Sequence, residues 1–194
     1  FAELIRIHGA PERSREGNAF QALVRSIIFQ QVSGNAARSI FQRFRGLFGT
    51  GKRFPRPQAV MAMPIAKLRT AGISAMKASY LHDLAEKFSR GIIKHRRFAR
   101  MSNEEVIEHL VQVKGIGEWT AHMFLIFTLN RLDILPTGDL GIRKGFQIVY
   151  RLRRMPDTKK MEQLARPWRT HASAASLYLW RVADGARKKS GESA

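Results

Sequence analysis

The chain has no cysteine among its 194 residues. That excludes disulfides, thiolate zinc sites and cysteine-ligated iron–sulfur clusters, and it fits a reducing compartment. No apolar run approaches the roughly 20 residues that a membrane-spanning helix needs, so no membrane association is expected. No stretch alternates apolar and polar residues with period two, which removes the usual signal of a half-buried strand. Acidic residues are scarce: 15 Asp and Glu face 34 Lys and Arg, for a net charge of +19. This imbalance says nothing about fold, but it favours a polyanionic partner. Nucleic acid comes first, and an anionic membrane surface is the simpler rival. No signal-peptide pattern opens the sequence, and its first residue is Phe1 rather than methionine, so a preceding segment is compatible with what is seen.

What is present is helical periodicity. The hydrophobic fraction of 44% is enough for one domain with a sizeable core, or two small lobes sharing one. Phe20, Leu23, Val24, Ile27 and Ile28 recur at three- and four-residue spacing after a potential cap at Asn18. Ala36, Ala37, Ile40, Phe41, Phe44, Leu47 and Phe48 do so after Ser33. Pro64 opens a short helix that Gly72 stops; Ser74 caps the next, which Gly91 stops. Ser102 and Glu105 form a capping-box pattern ahead of Val106, Ile107, Leu110 and Val111. Further helices are expected near 118–130, 140–153, 158–165 and 168–184. The sum is an all-α protein of roughly nine or ten helices with short connections. The loosest internal stretch runs from Gly46 to Pro57, there is no internal repeat, and the basic tail over 185–194 is expected to fray.

The most informative segment is Val113-Lys114-Gly115-Ile116-Gly117-Glu118-Trp119-Thr120-Ala121, followed by Leu135-Pro136-Thr137-Gly138-Asp139. Two glycines at a turn permit positive φ angles and close backbone approach. The N–H groups that open the following helix carry its positive dipole end and suit an anion such as a phosphate. The carbonyls that end the preceding helix, at Val111, Val113 and Gly115, face the other way and could hold a monovalent cation such as Na+ or K+. On its own the turn also reads as an ordinary helical corner.

Context narrows it. The segment Leu110-x-x-Val113-Lys114-Gly115-Ile116-Gly117-x-x-Thr120-Ala121 resembles the helix-hairpin-helix motif of the DNA glycosylase superfamily, and Leu135 to Asp139 resembles its Gly/Pro-rich loop and aspartate. Phe20 to Ser33, Ala71-Gly72-Ile73-Ser74-x-x-Lys77-x-x-Tyr80-Leu81, Arg166-Pro167-Trp168-Arg169 and Tyr178-Leu179-Trp180-Arg181 resemble the 3-methyladenine DNA glycosylase II branch. The resemblance covers nearly the whole chain. It implies a single helix-hairpin-helix glycosylase domain over 1–194, with the hairpin at 106–130 and the catalytic loop at 135–140. It also implies two helical lobes around a cleft and no N-terminal β domain.

Base excision breaks an N-glycosidic bond through an oxocarbenium-like sugar. A nearby carboxylate can stabilise that cation and orient or deprotonate the attacking water. Asp139 is the candidate. It also reads as the N-cap of a helix starting at Leu140, and the two roles are compatible because a cap fixes the carboxylate's direction. Asp133 precedes the Pro-Thr-Gly turn and misses the motif position. In superfamily members that also cut the strand, a lysine stands just before the Thr-Ala pair; here that position is Trp119. The resemblance therefore implies a monofunctional hydrolase without lyase activity or required cofactor.

An aromatic face suits a positively charged alkylated base, which is already a good leaving group. Trp119 and Trp180 are the candidates to line the base pocket, with Met123 beside them, and core packing is the alternative for each tryptophan. Phe124 and Phe127 are expected in the core. Lys114, Gly115, Ile116, Gly117, Thr120, Arg143 and Lys144 are the expected contacts to the strand. Ser74, Ala75 and Met76 stand where the resemblance puts the wedge that fills the hole left by a flipped base, although Ala75 is smaller than in some relatives. The spacing from Pro167 to Trp180 is about one helical turn longer than the family pattern. Gln30 and Gln31 could contact DNA, line the cleft or simply end a helix. The basic runs at Arg90–Arg100, Arg151–Arg154 and Arg187–Lys189 read as solvated faces, some of which add long-range attraction for DNA.

The expected function is release of alkylated bases such as 3-methyladenine and 7-methylguanine from double-stranded DNA, by a monomer. The expected compartment is cytoplasmic and nucleoid-associated, or nuclear in a eukaryote. The rivals are a non-catalytic helix-hairpin-helix DNA-binding module, in which Asp139 is only a cap, and a glycosylase for uracil, mismatched or oxidised bases.

Overall fold

The computed structural model describes residues 1–10, 18–49 and 53–189. Among the described residues there are helices and no strands, as the missing period-two alternation predicts. The helices are α1 (Ala2–His8), α2 (Ala19–Phe29), α3 (Gly34–Gly46), α4 (Pro57–Ala62), α5 (Ile65–Arg69), α6 (Ala75–Ser89), α7 (Asn103–Val111), α8 (Glu118–Phe127), α9 (Leu140–Val149), α10 (Thr158–Ala165) and α11 (Ala172–Lys189). Two 3-10 segments occupy His95–Arg100 and Arg166–His171.

The helix starts follow their caps. Asn18, Ser74, Asp139 and Asp157 each accept a backbone N–H two or three residues into the helix that follows. The Ser102–Glu105 capping box forms in both directions. Ser33 precedes α3 without a side-chain bond to it. Three expectations shift. Pro57 is the first residue of α4 rather than the end of a loop. The helix expected from 168 begins at Ala172, because the stretch from Arg166 winds as a 3-10 segment and Trp168 leaves helical geometry. The tail expected to fray from Gly185 instead continues α11 to Lys189, and residues 190–194 lie outside the described residues.

The chain divides into two compact units, with the boundary inside α8. The middle unit is Glu16–Phe124. Its α6 packs against α2, α4 and α5, and Leu23, Ile27, Ile28, Phe44, Leu68, Leu81, Leu84, Phe98, Leu110 and Phe124 are fully buried there. Each such side chain contributes about 1.5–3 kcal/mol by leaving water. Lys77 of α6 donates to the Ile28 and Gln30 carbonyls, at 2.8 and 2.5 Å. It thereby ties α6 to the C-terminus of α2, where a cation complements the dipole. Its partial burial holds the amine below the usual lysine range.

The terminal unit is Phe1–Arg15 with Leu125–Ala194. Its core gathers Leu135, Ile142, Phe146, Met161, Ala165, Ala172 and Leu179. Helices α9 and α11 lie unusually close. A Cβ on Gly145 would stand 2.6 Å from the Leu179 carbonyl oxygen, and one on Gly141 would stand 2.8 Å from the Trp180 ring. At helix α11's start, Ser173 and Ser176 hold the strandless segment before the loop: the Ser173 hydroxyl accepts Ile134 N–H at 3.1 Å, and the Ser176 hydroxyl donates to the Ile134 carbonyl at 3.3 Å.

Alanine at position 145 should therefore destabilise. Helix propensity alone would favour it by about 1 kcal/mol, but a backbone carbonyl cannot move aside as a side chain can, and overpacking costs about 1–3 kcal/mol. Thermal denaturation of Gly145→Ala should show a lower midpoint than wild type; an unchanged or higher midpoint contradicts the close approach.

Candidate functional site

The hairpin's turn lies in the middle unit. Val113 N–H donates to the Leu110 carbonyl and Ile116 N–H to the Val113 carbonyl, both at 3.0 Å, which closes the turn between α7 and α8. Gly115 sits at φ +78°, and a Cβ there would stand 2.1 Å from the Tyr80 ring of α6. Glycine is thus required twice, for the left-handed backbone and for the ring packed against it. Two further side chains brace the turn. Gln30 donates from Nε2 to the Gly115 carbonyl at 2.8 Å. Asp83 accepts Lys114 N–H at 2.8 Å through one oxygen and pairs with Lys87 through the other at 2.5 Å. Its side chain is 12% exposed, so this is a mostly desolvated carboxylate with both oxygens engaged.

These braces settle several expectations. Gln30 supports the hairpin from the end of α2 instead of ending in solvent, while Gln31 is exposed with φ +53°. Ile116 and Thr120, expected among the strand contacts, are 4% and 5% exposed, so their side chains serve packing and only backbone could meet a strand there. Lys114, Gly115 and Gly117 are exposed. Of the carbonyls considered for a monovalent cation, Gly115's already accepts the Gln30 amide and Val113's accepts Ile116 N–H. Each retains a second lone pair, so a weakly coordinated cation fits only as a supplement to those bonds. Among the described residues no group of three or more His, Asp or Glu side chains could hold a metal.

Trp119 stands in the first turn of α8 at 51% exposure, so it is not a core residue. Met123 is half-buried on the same helix, and Phe124 is in the core as expected. Of the wedge candidates, Ser74 caps α6, Ala75 is exposed, and Met76 is the large exposed apolar side chain at 56%. Ser74 and Met76 border a cavity of about 320 Å³ that Lys77 and Gln30 also line.

The carboxylate lies in the terminal unit. Leu135 and Pro136 are buried and anchor the loop, and Asp139 N–H donates to the Pro136 carbonyl at 3.0 Å to close it. Asp139 then caps α9: its Oδ1 accepts Ile142 N–H at 2.8 Å. The same oxygen accepts the indole N–H of Trp180 at 2.8 Å. Trp180 is half-buried, and its ring stacks on Phe127 at 6.1 Å and 22°. The cap and the catalytic reading of Asp139 are therefore both compatible with its geometry, and Trp180, expected only as a pocket wall, also orients the carboxylate. Phe127 backs Trp180 instead of filling the core. Arg143 and Lys144 follow on α9, both half-buried; Arg143 donates from Nε to the Pro156 carbonyl at 3.2 Å, so only the rest of its guanidinium could meet a phosphate.

Asp83 and Gly141 were missed by sequence reasoning. Asp83 carried a signal: an acid on the face of α6 that also carries Tyr80 and Lys87, away from the buried apolar stripe, in a chain poor in acid. Gly141 carried less, since a glycine in a helix shows only that something comes close.

Two outcomes follow. Gly115→Ala should cost about 1–3 kcal/mol from the backbone alone, plus displacement of Tyr80, and chemical denaturation should show it; a loss within error contradicts this packing. His122 of α8 is held below the ordinary histidine range by burial, which the Glu118 carboxylate at 3.8 Å only partly offsets. Its contribution to stability is thus present above the unfolded value near 6.5 and lost as pH falls through the lower folded value. Unfolding free energy should decline below about pH 6.5, and His122→Gln should flatten that decline.

Comparison with known proteins places the sequence and the fold. The DNA-3-methyladenine glycosylase 1 of Schizosaccharomyces pombe is 40% identical over 177 residues, spanning 89% of this chain and 76% of that protein. The solved structure of a 3-methyladenine DNA glycosylase from the same yeast, in complex with abasic DNA, superposes with a TM-score of 0.81 at 36% identity, covering 94% of this chain and 90% of that one. A DNA-3-methyladenine glycosidase from Bacillus halodurans gives a TM-score of 0.85 at 34% identity, covering 97% and 86%. The profile of the HhH-GPD superfamily base excision DNA repair proteins matches residues 24–170. This chain belongs to the HhH-GPD superfamily of base excision DNA repair proteins.

Proposed function

We propose that the chain is a monofunctional DNA glycosylase of the 3-methyladenine glycosylase II type, acting on alkylated bases in double-stranded DNA. The observation that carries this reading is Asp139, whose carboxylate is held by the Ile142 amide and the Trp180 indole on one oxygen. A carboxylate fixed in that way can face a sugar cation without reorganising at the moment of reaction. The glycosidic bond breaks with its electron pair leaving on the base; a cationic alkylated base departs neutral, so no acid is needed. Asp139 stabilises the oxocarbenium-like sugar, and water adds at the anomeric carbon, giving its proton up through the carboxylate. The products are the free base and an abasic site.

The hairpin supplies the grip. A turn with exposed Lys114, Gly115 and Gly117, followed by a helix N-terminus, suits a strand phosphate. The exposed Trp119 offers a ring for an electron-poor base. It also occupies the position where strand-cutting superfamily members carry lysine, which supports the absence of lyase activity. A monovalent cation on the hairpin carbonyls would reinforce the grip and take no part in bond breaking. The chain is taken to act as a monomer.

Incubation with methylated duplex DNA tests the reading. Wild type should release 3-methyladenine or 7-methylguanine as free base, and Asp139→Asn should lower the single-turnover rate by at least about a hundredfold. Trp180→Phe keeps the ring and removes only the N–H; losing one bond to a charged group, about 1.5 kcal/mol, predicts a rate roughly tenfold lower. Equal release by wild type and Asp139→Asn would leave a non-catalytic DNA-binding module, and strand cutting without alkali or heat would overturn the monofunctional assignment.

A further inference from the structure

The middle unit carries a second cavity, of about 700 Å³, that the base-excision chemistry does not use. Asn18, the cap of α2, lines it, whereas Gln30 at the other end of α2 braces the hairpin. A helix of 11 residues spans about 16 Å, so the cavity and the hairpin lie a helix length apart within the unit. Arg56, Lys94, Arg96 and Arg97 line the cavity, all exposed, and no described lining residue is acidic. The backbone of the basic run is anchored on both sides by Ile93 and Phe98, each 1% exposed.

The aromatic surface is the second half of the observation. His95 is exposed and stacks on the buried Phe88 at 5.0 Å and 21°. Phe54 also lines the cavity, half-buried and packed on Phe41 at 5.9 Å and 20°, with Phe44 tilted at 6.1 Å and Phe20 edge-on at 6.2 Å. Two rings, each backed on one side by another aromatic, thus line one cavity with four cations. Paired duplex could bring phosphates to the cations but would keep its bases from the rings. An acidic peptide would use the cations and have no chemical need for flat ring faces. An unpaired nucleotide uses both, through phosphate attraction and base stacking. We propose that this cavity is an accessory site for single-stranded DNA, separate from the hairpin.

Fluorescence anisotropy of the full chain with a short fluorescein-labelled oligo(dT) tests it. The combined variant Lys94→Ala, Arg96→Ala, Arg97→Ala should weaken binding about tenfold, while Arg151→Ala, Arg153→Ala, Arg154→Ala, an equal charge loss elsewhere, should change it less than about twofold. Phe54→Leu should weaken oligo(dT) several-fold yet leave an abasic strand of equal length unaffected. Equal losses from the two triple variants would overturn the proposal in favour of bulk charge. An abasic strand binding wild type as tightly as oligo(dT) would overturn the stacking. Displacement of the labelled strand by an oligo-glutamate peptide as readily as by unlabelled oligo(dT) would make the site a peptide site. Base release from methylated duplex, measured in parallel, reports on the glycosylase reading independently of these affinities.

Discussion

The indole of Trp180 reaches the carboxylate of Asp139 because residue 141 has no side chain. A Cβ there would meet the indole ring at 2.8 Å and the carboxylate oxygen at 3.1 Å. One turn later Gly145 admits the Leu179 backbone in the same way. The two glycines set the separation of α9 and α11, and that separation decides whether the capping aspartate gains a second donor. Capping alone would orient Asp139 from its own helix; the indole orients it from another. A carboxylate held from two directions has its orientation fixed by its own helix and by another.

The hairpin follows the same logic with different parts. Gly115 lets the chain turn left-handed and lets Tyr80 pack against the turn. Gln30 and Asp83 then hold the backbone on either side of it, from α2 and α6. Lys77 ties those two helices together at the end that carries Gln30. With its other backbone groups held inside the protein, the turn leaves Lys114 and Gly117 exposed. The braces are polar, while the helices that carry them are fixed by apolar packing.

Much of this was legible beforehand, for reasons that can be named. Helix starts are local: Asn18, Ser74, Asp157 and the Ser102–Glu105 pair act within one turn, so their residue types suffice. The hairpin glycines and Asp139 stood out because turn and cap chemistry leave a residue-level trace. Less legible were α4, which a Gly/Pro-rich stretch disguised, and the 3-10 winding before α11, where Tyr150 accepts the Trp168 indole N–H at 3.0 Å from a distant part of the chain. The tail's continuation as helix also escaped, because frayed ends and helical ends have the same polar composition.

The sequence by itself determined the helical class, most of the caps, the turn that suits a phosphate and the aspartate behind it. Each of these depends on contacts within a few residues, or on side-chain periodicity. Tertiary structure alone decided that Gln30, Asp83 and Tyr80 converge on the Gly115 turn, that Trp180 donates to Asp139, that Ile116 and Thr120 turn inward while Trp119 remains exposed, and that Phe54 and His95 line one cavity with Arg56, Lys94, Arg96 and Arg97. Those outcomes join residues tens of positions apart. Their geometry is set by how closely helices pack, which residue types constrain but do not specify.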